Sequence, residues 1–258
     1  MKPINQNYKS MEVHHHSHPD SASRKKFTHY IWEFLMLFLA VFCGFLAENF
    51  REYRVDKNRE KEYVLSMIED LGKNTVAINE HHTQRIDRKI KMDSLSMLLH
   101  EPDLVNYTGL IYYYARWVPR NTYFYPTDRT MQQLKNAGGM RLITHKAAAD
   151  AILDYDAQTK LVQTQNYSLE AADVERFMGK MTPIFDGNVL DEIYGDSLLN
   201  KPPGNPPLLT NEKKYIDDLV SELHFVKSLN NRNIFFENKL KMQAIKTMDV
   251  LKKEYHFN

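Results

Sequence analysis

The sequence predicts an all-α protein, and three observations predict it. Residues 30–47 form one apolar run, most of the chain after it repeats apolar residues at three- and four-residue steps, and the breakers Pro102, Pro126, Gly138, Gly139 and Pro183 fall between those stretches. No segment alternates apolar and polar residues over a useful length, so no strand competes. The expected architecture is an N-terminal transmembrane helix continuing into a long stalk helix, packed with two other long helices and short helices as a bundle.

The run YIWEFLMLFLAVFCGFLA begins at Tyr30, and its strictly uncharged part starts at Phe34. About 20 residues at 1.5 Å rise cross a bilayer core of ~30 Å. That length is reached if Tyr30 and Trp32 sit at one interface as belt aromatics, with Arg24, Lys25 and Lys26 among the headgroups. Cleavage as a signal peptide is not expected, because cutting after Ala47 would place bulky Phe45 three residues before the cut and Glu33 interrupts the apolar core. A lipoprotein reading of Cys43 fails for the same kind of reason, with Phe42 where a small residue is needed.

Projected at 100° per residue, Glu33, Leu37, Ala40, Gly44, Ala47, Glu48 and Arg51 share one stripe, which is read as a membrane packing face. Ala40 and Gly44 form a small-xxx-small pair that lets another backbone approach closely. An ionisable Glu33 near lipid calls for a partner.

The expected domains are a His-containing disordered tail over 1–26, a transmembrane helix over 27–49 and a helical bundle over 50–258. The tail carries Pro3, Pro19 and four histidines, His14, His15, His16 and His18. Such imidazoles bind Zn²⁺ or Ni²⁺ only loosely without a fixed geometry, so no cofactor is expected. The net charge is +1 and basic and acidic residues interleave, as over 51–62, which gives no nucleic-acid footprint. Cys43 is the single cysteine, which excludes an internal disulfide.

After Glu48 the helical pattern continues, and Val64, Ile68, Leu71, Thr75, Ile78 and His82 step by four and three as a coiled-coil seam. The stalk extends from Glu48 to Leu99 before Pro102, weakened locally at Gly72, with some bend or break expected over that length. A short helix over 108–117 lies in the most aromatic region. There Tyr112, Tyr113, Trp117, Arg116 and Arg120 form a candidate partner or ligand surface, set against a purely structural role closing the end of the bundle. Thr127 caps a helix to about Ala137, stopped by Gly138 and Gly139. One long helix follows from His145 to about Met181 and ends at Pro183. A Gly- and Pro-rich loop over 184–207 holds a helical turn near 189–194. Thr210 then caps a final helix carrying Ile216, Leu219, Val220, Leu223, Val226, Leu229, Ile234, Leu240, Ile245 and Met248.

Catalytic patterns are missing: the sequence has no HExxH, paired Cys, GxSxG, P-loop or ExxH pair. Glu80, His81 and His82 are adjacent but point about 100° apart, and His82 reads as an interface histidine on the seam. The expectation is a non-enzyme with no catalytic, cofactor or metal residue.

The stretches EFLMLFLAVFCGFLAENFRE, REKEYVLSMIEDLGKNT and YPTDRTMQQLKNAGGMRLI resemble a family of single-span bacterial membrane proteins of unknown function common in the Bacteroidetes lineage. The resemblance implies an inner-membrane anchor and a mainly helical domain, with no catalytic residue to carry over. The function expected is a membrane-anchored interaction or scaffold protein that self-associates or engages an envelope partner. The alternative is an envelope sensory or ligand-binding module acting through a partner protein. The expected placement is single-pass in the bacterial inner membrane, N-terminus cytoplasmic and bundle periplasmic. The Lys and Arg count beyond the span, Arg51, Arg54, Lys57, Arg59 and Lys61, leans the other way, while the basic cluster closest to the span and the resemblance favour this choice.

Overall fold

A computed structural model of the chain describes residues 22–120, 123–136, 138–164, 168–194 and 199–257. Among these residues the regular elements are seven α-helices: α1 (Ala22–Leu98), α2 (Thr108–Trp117), α3 (Arg129–Asn136), α4 (Lys146–Thr164), α5 (Glu170–Met181), α6 (Gly187–Ile193) and α7 (Lys213–Tyr255). The all-α reading holds. The tail histidines His14 to His18 lie outside the described residues, and residues 22–26, assigned to the tail, already belong to α1.

The chain divides into two units, Met1–Asp56 and Lys57–Asn258. The first unit carries the apolar part of α1, near the N-terminus, and by length and composition that stretch can cross a membrane. No break occurs near Gly72, and α1 runs as one helix of 77 residues. A glycine costs a helix interior only about 1 kcal/mol, and in the second unit that loss is small beside the packing of the buried seam of α1.

That seam is Glu60, Val64, Met67, Leu71, Asn74, Ile78, His81, Arg85, Arg88, Met92 and Leu95, in unbroken steps of four and three. The expected seam was right at Val64, Leu71 and Ile78 but one residue late at Ile68, Thr75 and His82. Their neighbours Met67, Asn74 and His81 are the buried ones. Four of the buried positions past Leu71 are polar, so a pattern that follows apolar residues slides off them. α7 behaves alike: Ile216, Leu219, Leu223, Val226, Asn230, Asn233, Glu237, Leu240, Ala244, Thr247 and Leu251 are buried in strict threes and fours. Leu229, Ile234, Ile245 and Met248, expected inside, lie one place away and are less buried.

Within the second unit the elements form four lanes running alternately up and down. Glu60 meets Tyr255 and Arg85 meets Asn230 and Glu237, so α1 and α7 are antiparallel. The return lane is α2 followed by α3, with Arg88 against Val118, Asn74 against Thr127 and Asp70 against Thr130. α4 and α5 share the remaining lane against α7, as Thr247 with Ala151 and Lys180 with Asp218 show. At the far end of α2, a Cβ on Gly109 would lie 2.1 Å from the Gly204 carbonyl oxygen, so only glycine admits the 184–207 loop there.

The single helix expected from His145 to Met181 is two helices, and the interruption changes register. α4 buries Ala148, Ile152, Tyr155, Thr159 and Val162, a rhythm of fours and threes that, continued, would bring Leu169 inward. Instead Leu169 is exposed and Glu170 is buried, followed by Val174, Phe177 and Met181. The break thus moves the buried stripe by one residue and delivers a carboxylate to the core.

Buried polar side chains of α1 also hold the short elements. Asp70 accepts from both the backbone N–H and the hydroxyl of Thr130, capping the start of α3 from across the bundle. Thr127, expected to cap α3 itself, instead exchanges two bonds with the Asn74 side chain. The stop at Gly138 is as expected, with φ of 67° in the left-handed region. Glu60 accepts from Lys57, from Tyr255 and from the Thr144 N–H and hydroxyl. Burial alone would raise its carboxyl, but these bonds outweigh it and lower the pKa from 4.5 to about 2.

The Glu60 contribution is therefore complete above the unfolded value of 4.5 and lost as pH falls from there towards about 2. Glu60→Gln is expected to lower the unfolding free energy by about 2 kcal/mol at neutral pH. In denaturant titrations followed by circular dichroism, the gap between variant and parent should close as the pH is lowered through that window. A gap that stays constant with pH would remove the carboxylate from this role.

Candidate functional site

The expected membrane packing face, Glu33, Leu37, Ala40, Gly44, Ala47, Glu48 and Arg51, lies wholly on exposed helix. Glu33 has a local partner the sequence reading did not foresee, His29, at 3.1 Å one turn earlier. Glu48 and Arg51 pair with each other through two hydrogen bonds. The whole apolar window around these residues is unburied, and Phe34, Phe38 and Phe42 stack in sequence along it. A soluble core helix of this hydropathy would be surrounded by protein, whereas this one presents its side chains outward.

The aromatic candidate surface divides. Tyr112 is a correction: its ring is fully buried, packs edge-on against Phe185 at 5.0 Å, and its hydroxyl donates to the Pro207 carbonyl while accepting from the Asp186 N–H. A tyrosine satisfied on both counts belongs to the core, and Tyr112 ties α2 to the loop after α5. Tyr113 and Trp117 are half-buried and meet edge-on. Trp117 lies beneath two cations, Lys91 at 4.2 Å and Arg120 at 5.1 Å, while Arg116 covers Tyr194 at 5.5 Å. These contacts set both arginines on rings of the same chain, and Trp117 stands beside Val118 at the level of the buried Arg88, within the bundle and not at its end.

Chemistry concentrates elsewhere, in a polar layer between two apolar cores. One core holds Met92, Leu95, Phe177 and Leu219; the other holds Val64, Leu71, Ile152 and Leu240. Between them lie His81, Arg85 and Arg88 from α1, Glu170 at the start of α5, and Asn230, Asn233 and Glu237 from α7, all buried. Arg85 donates to both carboxylates, at 2.6 Å to Glu237 and 3.0 Å to Glu170, and to the Asn230 side-chain oxygen at 3.1 Å. Arg88 donates to Glu170 and places two N–H groups on the Val118 carbonyl at 3.0 and 2.6 Å. Asn233 gives Glu170 a further donor at 2.8 Å, and His81 Nδ1 stands 3.0 Å from Glu237.

The layer lies where two of the four lanes are interrupted. Val118 ends α2 and would leave a carbonyl without a helical partner, which Arg88 satisfies. Glu170 sits at the break between α4 and α5. Two guanidiniums face two carboxylates, so the buried formal charges balance. Burial would raise the Glu170 carboxyl, but Arg85 and Arg88 outweigh it and hold it below the ordinary carboxylate value. A carboxylate held ionised with guanidinium donors on both oxygens is poorly suited to take a proton from a substrate. The layer also fixes register: sliding α7 along α1 by one heptad would take Glu237 away from Arg85. Sequence reasoning missed all six residues other than His81. The available signal was the register itself, cations at seam positions of α1 and acid or amide at seam positions of α7.

Glu170→Leu leaves two buried guanidiniums with one carboxylate, and should cost about 3–5 kcal/mol of unfolding free energy. Adding Arg88→Met removes the surplus charge and should recover part of that loss, read by denaturant titration. Additive losses in the double variant would show that the two side chains are not coupled. No family model, curated protein or solved structure matches the chain.

Proposed function

We propose that the chain is a membrane-anchored interaction or scaffold protein, held in a bilayer by the apolar part of α1, self-associating, and presenting its helical bundle to an envelope partner. The observation that carries this reading is the apolar window of α1, with a mean hydropathy of 2.1 and none of it buried. Leaving side chains such as Phe34, Leu37, Val41 and Phe45 in water forfeits roughly 25 cal/mol for every Å² of apolar surface. Lipid removes that cost, and the helix satisfies its own backbone polar groups there. The interior polar layer fits a scaffold role, since both of its guanidiniums are bound to its own carboxylates. The membrane proposed is the bacterial inner membrane, with the N-terminus cytoplasmic and the bundle periplasmic.

The chain should remain in the membrane pellet after alkaline extraction, and recovery in the supernatant would overturn the anchor. A periplasm-dependent phosphatase fused after Asn258 should be active, and activity of a cytoplasm-dependent fluorescent protein there would reverse the orientation. Gly44→Leu should reduce cross-linking through Cys43 severalfold, while Leu46→Ala leaves it unchanged. Equal cross-linking in both would place the Ala40 and Gly44 stripe against lipid.

A further inference from the structure

In the second unit, the face of α1 turned away from the bundle carries a second seam. Leu65, Val76, Ile86, Ile90 and Met97 are between 38 and 63 % exposed. On a helix whose other face is buried, the outward centre is normally polar. These five fall on a single stripe, together with Glu69, Gly72, Asn79, Thr83 and Asp93, in steps of four and three. Steps of that kind match another helix lying alongside.

We infer that this outward seam of α1, from Leu65 to Met97, is a parallel, in-register coiled-coil interface with α1 of a second copy of this chain. The inference rests on the membrane-anchored reading, because copies anchored through the same segment enter the bilayer with the same polarity and run parallel. Three features of the seam fit an identical partner. Val76, Thr83 and Ile90 occupy every seventh position and are β-branched, the preference at that position in parallel two-stranded coils. Gly72 has no atom within 4 Å of where a Cβ would stand, so the partner's backbone can approach there. The flanking positions of two parallel copies oppose His82 to Asp87, Thr75 to Glu80, Ile68 to Lys73 and Lys89 to Ser94, so no like charges meet in these pairs. The two acids on the seam are already neutralised within the chain, Glu69 by Lys73 at 2.5 Å and Asp93 by Lys227 at 2.6 Å.

The test uses the full chain in membranes, with Cys43→Ser as background and a single cysteine introduced by Val76→Cys, Ile90→Cys or, off the seam, Gln84→Cys. On mild oxidation the first two should give a covalent homodimer severalfold more efficiently than the third. Cross-linking to a different polypeptide, or equal yields at all three positions, overturns the inference. If the parent chain cross-links through Cys43 but Val76→Cys and Ile90→Cys do not, self-association stands and the seam is excluded. If the chain pellets with membranes yet shows no dimer by any route, self-association itself fails. Ile86→Lys with Ile90→Lys should release monomers in detergent with an unchanged thermal melt, because both side chains are exposed in the bundle. A dimer that survives this pair also overturns the seam.

Discussion

The second unit depends on the coupling of Arg85 and Arg88 to Glu170 and Glu237. Removing four ionic groups from water is expensive, and the cost is offset only where each group finds opposite charge and good hydrogen bonds. Arg85 reaches both carboxylates and Asn230, Arg88 reaches Glu170 and the end of α2, and Asn233 completes the Glu170 oxygens. Apolar seams in threes and fours can pack in several registers, because one leucine resembles another. A buried charge layer ranks those registers, since most of them leave an ion without its partner.

The interruptions in the two broken lanes follow from the same layer. α4 and α5 could have formed one helix by their spacing, but that helix would bury Leu169 and leave Glu170 outside. The end of α2 exposes a carbonyl at Val118, which the guanidinium of Arg88 takes up. Each interruption supplies the layer with a polar group, and at the end of α2 the layer in turn satisfies the backbone carbonyl left open. The aromatic region joins this architecture as packing: Tyr112 sits in the core with its hydroxyl satisfied, and Trp117 is held beneath Lys91 and Arg120.

α1 meets three environments along its length. Its first part is apolar on all sides and unburied, its inner face after Lys57 packs against the bundle, and its outer face carries Leu65, Val76, Ile86, Ile90 and Met97. A helix apolar all round belongs in lipid or protein, and one apolar on two opposite stripes has two neighbours to cover. The proposed role, interaction in the membrane and beside it, rests on this distribution of apolar surface along α1.

By itself the sequence determined the helical class, the apolar segment, the limits of α2 and the stops at Gly138 and Pro183, because these depend on local chemistry: side-chain hydropathy, backbone freedom and the missing N–H of proline. It also placed Val64, Leu71, Ile78, Leu219 and Leu240 inside, where apolar spacing and burial agree. Only the tertiary structure decided that Asn74, His81, Arg85, Asn230 and Glu237 are buried while Ile68, Leu229 and Ile245 are less so. A polar residue enters a core only when its partner, far away in sequence, arrives at the same place. Arg85 and Glu237 are separated by 152 positions, and no local pattern of either helix carries that pairing.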